Sequence, residues 1–81
     1  MSLTEPNAAA VSSSRLRLFD ILIGGYVSWR EASAAVTATY ENWRCAPRYE
    51  RATAYAAYVT ALDSEERAAL AFERLAEQAA A

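Results

Sequence analysis

Few residues in this 81-residue chain combine a reactive type with a useful spacing. Cys45 follows Arg44, and a neighbouring cation favours the thiolate, the reactive form of a thiol. The chain has no histidine to act as the base for that thiol, and nucleophilic cysteines rely on such a base. Cys45 is therefore expected to be a small residue at a turn. Asp63, Glu65 and Glu66 form the one acidic cluster. Paired carboxylates can exchange protons or hold a hard cation. They also stabilise the first turn of a helix, where backbone N–H groups point outward unpaired. No Glu-x-x-His pattern accompanies them, as a di-iron bundle would require, so the expected role is structural. No catalytic, cofactor-binding or metal-ligating residue is expected, and an enzyme is the least supported class.

The stronger signal is aromatic. Two Trp, five Tyr and two Phe are many for a chain of this length. Most of them should fill the interior. A pair of helices, however, can cover only one side of each arm, so part of this surface should stay wet, and a large exposed apolar patch marks an interaction site. Tyr and Trp are also enriched at binding hot spots. The residues expected to carry a protein contact are Phe19, Leu22, Tyr26, Trp29, Tyr55, Tyr58 and Phe72.

The elements that position these residues follow from periodicity. From Arg15 to about Arg44, Phe19, Leu22, Tyr26, Trp29, Val36, Tyr40 and Trp43 recur at alternating steps of three and four. Ser33 fills the remaining place. This is a heptad register held for more than three heptads, the pattern of a coiled-coil helix. The alternative is a β-hairpin turning at Gly24-Gly25 between two apolar runs; a register that continues through the glycines favours the helix. As helical residues the glycines cost about 1 kcal/mol each relative to alanine. They mark a weak point, a kink, or a place where another backbone comes close.

Cys45-Ala46-Pro47 should end this helix, because proline disfavours helical geometry in the residue before it and suits the first turn of the next helix. A second helical segment runs from Pro47 towards Gln78, rich in alanine. Tyr55, Tyr58, Val59 and Leu62 form one stripe; Ala68, Phe72, Leu75 and Ala79 form another, out of phase across Asp63-Ser64-Glu65-Glu66. Asp63 with Glu66 imitates a capping box, so the segment either breaks at Asp63 or runs through; matched arm lengths favour the run-through. A reversal at residue 46 would pair residues whose numbers sum to about 92 or 93, setting Trp43 beside Tyr49, Tyr40 beside Ala52, and Phe19 and Leu22 opposite Ala71 to Leu75. Each arm would be about 30 residues, roughly 45 Å. Residues 1–14, with one Pro and four Ser, are expected to be a disordered tail, ending in Ser12-Ser13-Ser14, any of which could cap a helix. The fold class predicted is all-α: residues 15–81 as a long antiparallel helical hairpin that assembles into a four-helix bundle.

Composition narrows the rest. The net charge is −2 with both signs interspersed, which argues against nucleic acid as the main partner. A single cysteine excludes an internal disulfide. The most apolar stretch, Leu16 to Trp29, contains Asp20 and is shorter than the ~20 residues of a membrane span. Glu5 stands where a signal peptide carries positive charge, so a cytoplasmic setting is expected. The layout resembles that of the WXG100 secreted helical hairpins, since Trp43-Arg44-Cys45 lies close to the turn. Cys45 stands at the place of the motif glycine, and no Tyr-x-x-x-Asp/Glu signal appears near the C-terminus. The resemblance implies a secreted, effector-like hairpin as a second reading. A third is a helix-turn-helix DNA-binding regulator built around Cys45 to Pro47, where Arg44, Arg48 and Arg51 cluster with Glu41 and Glu50. The leading expectation is a non-enzymatic interaction module, a small accessory subunit that dimerises or docks on a larger protein.

Overall fold

The computed structural model describes residues 4–81, with side chains described from Ser14 onward. Helix α1 spans Thr4–Cys45 and helix α2 spans Arg51–Ala80; a single 3-10 turn, Arg48–Glu50, lies between them. α2 packs against α1 along its own length, and the described residues contain no strand. The fold is therefore an all-α helical hairpin. The helical backbone reaches back to Thr4, well before the expected start at Arg15 and through the serines expected to cap it. Side chains of residues 1–13 lie outside the description, so the expected tail falls largely there.

Both sequence ambiguities resolve as continuous helix. α1 runs through Gly24 and Gly25, and neither has a positive φ. α2 runs through Asp63-Ser64-Glu65-Glu66 without a break. All four residues have ordinary helix-interior costs of under about 1 kcal/mol, and the alanines on either side favour propagation over a new cap.

The connection sets the register. Pro47 is extended (φ −65°, ψ 158°), which stops α1 just after Cys45. The Ala46 N–H donates to the Trp43 carbonyl (3.2 Å) and the Glu50 N–H to the Pro47 carbonyl (2.9 Å), so the chain spends five residues reversing. The reversal is consequently centred near residue 49. The facing pairs Tyr26–Phe72, Tyr40–Tyr58 and Trp43–Tyr55 each have numbers summing to 98. This corrects the expected sum of 92 or 93, which assumed a turn too tight to hold the 3-10 segment. Tyr49, expected beside Trp43, is instead 85% exposed. Large residues of one arm meet large residues of the other, where small or apolar partners were expected.

The seam between the helices is narrow. On α1 the half-buried positions include Leu18, Leu22, Gly25, Trp29, Ser33, Val36 and Trp43, with Ala32 and Thr39 at the edge; on α2 they include Tyr58, Ala61, Glu65, Phe72 and Leu75. Leu18 and Gly25 take the inward places that the heptad count gave to Phe19 and Tyr26. Gly25 is where the helices come close. A Cβ there would lie 2.8 Å from Leu75 Cδ1 and 3.3 Å from Phe72 Cδ1, whereas a Cβ on Gly24 would meet nothing within 4 Å. Among the described residues only Ala54, at 6% exposure, is buried, and no large side chain is fully enclosed.

Candidate interaction surface

The aromatic residues gather into two clusters, one towards each end of the seam. Near the open end, the Trp29 ring stacks on Phe72 (centroids 6.0 Å apart, planes 10° apart), and Tyr26 meets both edge-on at 6.0 and 5.8 Å. Near the turn, Trp43 stacks on Tyr58 (5.5 Å, 14°), with Tyr55 at 4.9 Å from Trp43 and Tyr40 at 5.6 Å from Tyr58. Offset and edge-to-face pairs of this kind add about 0.5–1.5 kcal/mol each beyond area burial. Between the clusters lies a polar clasp. The Trp29 indole N–H donates to Glu65 Oε2 (3.0 Å), and the Ser33 hydroxyl donates to the same oxygen (3.2 Å). Glu65 thus belongs to the seam, tying α1 to α2, while its neighbours Asp63 and Glu66 face solvent.

The residues expected to bind a partner divide in two. Leu22, Trp29, Tyr58 and Phe72 are half-buried between the helices. Phe19, Tyr26 and Tyr55 stand 60%, 44% and 49% exposed. The exposed apolar surface also includes Ile21, Ile23 and Val27, which lie off the heptad seam and were expected to stay wet, together with Leu16, Val59 and Leu62. Ile23 and Tyr26 line an open groove of about 530 Å³ together with Leu22, Phe72, Ala76 and Ala80.

Other candidate chemistry is sparse. Cys45 is an exposed free thiol. Arg44 pairs with Glu41 at 2.9 Å, and that hydrogen bond raises the guanidinium pKa further above its ordinary value. A hollow lined by Tyr40, Trp43, Arg44 and Arg51 lies at the turn end. Among the described residues no group of His, Cys, Asp or Glu is placed to share a metal ion, and no helix is long and apolar enough to cross a membrane. Comparison of the chain with protein-family models, curated proteins and solved structures finds no significant match.

Proposed function

We propose that this chain is a non-enzymatic protein–protein interaction module, a small helical subunit that completes its core by packing against another protein surface. The observation that carries the reading is the near-absence of an interior. A domain of this size with one buried residue among those described, Ala54, gains little from burial by itself, at about 25 cal/mol per Å² of apolar surface removed from water. Twelve large apolar side chains remain between 38% and 85% exposed. A partner that covers them supplies the missing stabilisation. The aromatic content suits that role because Tyr and Trp lose little rotamer freedom on binding for the area they contribute. A cytoplasmic setting is part of this reading.

The interaction reading is favoured over a helix-turn-helix regulator by the arrangement of the helices. They lie side by side along α2, whereas DNA-reading pairs cross at about 90–120°, and Glu41 already engages one arginine of the small basic patch. The test has two arms. Thermal unfolding is followed over a hundredfold range of protein concentration, since binding to the folded state raises the midpoint by mass action. In parallel, extract from the native organism is captured on the wild-type chain and on a Phe19→Ala, Tyr55→Ala variant. A midpoint that rises with concentration, or a captured protein lost with the variant, supports the module. A concentration-independent midpoint together with no variant-sensitive capture sinks it.

A further inference from the structure

The two long sides of the hairpin differ in kind, and the difference specifies an occupant. With 3.6 residues per turn, the residues flanking the seam sort into two sides. One side carries Ser28, Ala32, Ala35, Thr39, Ala57 and Ser64; Asn42, Ala46, Thr53 and Ala57 share a shallow hollow there. Apart from Ile21, which shares this helical phase, and Tyr49 in the hollow at the turn, its residues are small or polar. The other side carries the exposed bulk, in an alternating layout. Towards the open end the large residues are on α1, Phe19, Ile23 and Tyr26, beside Ala76 and Ala80 of α2. Towards the turn they are mainly on α2, Tyr55, Val59 and Leu62, beside Ser33 and Thr37 of α1, with Tyr40 of α1 the one large residue set against this alternation.

We propose that this side is the interface for a second copy of the chain, packed about a two-fold axis into a four-helix bundle; the proposal rests on the interaction-module reading and names its partner. A two-fold interface must be self-complementary, each patch meeting its own counterpart. The alternating layout meets that condition. Turning a second hairpin face-to-face sets the large α1 residues of one copy over small residues of the other, and the large α2 residues likewise. The area agrees. Phe19, Ile23, Tyr26, Tyr40, Tyr55, Val59 and Leu62 are 38–60% exposed; at the ~150–250 Å² that an aromatic side chain can bury, and less for the aliphatic three, they leave roughly 600 Å². An interface of standard size takes about 800 Å² from each partner. Charge fits an axis along the hairpin's length, because Arg30 and Glu66 lie at the middle of this side by helical phase and such a copy sets Arg30 of one chain over Glu66 of the other.

Sedimentation equilibrium of the full chain from about 1 to about 200 µM tests this, a range that covers dimers of ordinary affinity. The expected result is a dimer that Ile23→Arg and Val59→Arg each weaken by about tenfold or more, an effect of the size expected where a charge is buried in an interface core. Ala57→Arg and Ser64→Arg, on the small-residue side, should leave it unchanged. Helical content measured on the same samples separates loss of pairing from loss of folding. Should the arginine variants fail to fold, a mixed-label nuclear Overhauser experiment on the wild type replaces them: Ile23 and Val59 methyls should show contacts between copies. A folded monomer at the highest concentration overturns the second copy as occupant while leaving the module reading to its capture arm. A dimer weakened from the small-residue side, or one without contacts between copies from Ile23 and Val59, overturns the assignment of the face.

Discussion

Glu65 is the residue whose type says least about its role. A carboxylate at the middle of an alanine-rich helix usually points to water, yet here one oxygen accepts hydrogen bonds from both the Trp29 indole and the Ser33 hydroxyl across the seam. Removing the acceptor strands two partly buried donors, and each unmet donor costs about 1–3 kcal/mol. Glu65→Ala should therefore lower stability by about 1–3 kcal/mol in denaturant unfolding, and Glu65→Gln, which keeps a carbonyl acceptor, should lose less. The adjacent glycines make a sharper pair. Gly24→Ala adds helix propensity in open space and should stabilise by about 0.5–1 kcal/mol. Gly25→Ala gains the same propensity but forces Leu75 and Phe72 aside, and overpacking of this kind costs about 1–3 kcal/mol. The two substitutions should move the thermal midpoint in opposite directions. Equal gains for both would mean that the helices are not in close contact at this point.

At the scale of the element, the turn governs which aromatics meet. Five residues of reversal bring Trp43 against Tyr55 and Tyr58 and leave Tyr49 outside. Trp43→Ala should accordingly cost about 2–4 kcal/mol, somewhat below the full core value because the ring is only half-buried. Tyr49→Ser should fall within about 0.5 kcal/mol of wild type. A melting comparison of the two variants reads the register directly, since the tighter turn expected from the sequence would have made Tyr49 the partner of Trp43. Ala54, the one buried residue among those described, lies just past that turn where α2 first meets α1. Ala54→Leu should separate the helices there and lose about 1–3 kcal/mol by overpacking.

For the whole molecule, slenderness is the governing fact. Its extents are 75 × 16 × 12 Å with a radius of gyration of 19.9 Å, against about 12 Å for a compact chain of this length. A shape two helices wide has almost no interior, and the interaction reading proposed above assigns the remaining stabilisation to what lies alongside it. The concentration dependence of the melting midpoint is thus expected to be a property of the folded state itself, and the Ile23→Arg chain should melt lower than wild type while its midpoint no longer rises with concentration. A midpoint of that variant that still follows concentration as wild type does would place the stabilising contact elsewhere.

The sequence by itself determined the helical class, the two arms and the place where they join. Heptad spacing from Phe19 to Trp43, alanine-rich propensity in the second arm and Pro47 after Cys45 are local signals, and local backbone preferences act without reference to the rest of the chain. It also determined that aromatic surface would exceed what two helices can cover. Which residues face inward was decided only by the tertiary structure. Leu18 and Gly25 turned in where Phe19 and Tyr26 were expected, because a rotation of a few tens of degrees selects between neighbouring heptad rows and only the opposing helix fixes it. The register was likewise set by the 3-10 turn at Arg48–Glu50. A shift of a few residues at that turn changes every pair along the seam, and the clasp at Glu65 exists only once the arms are aligned.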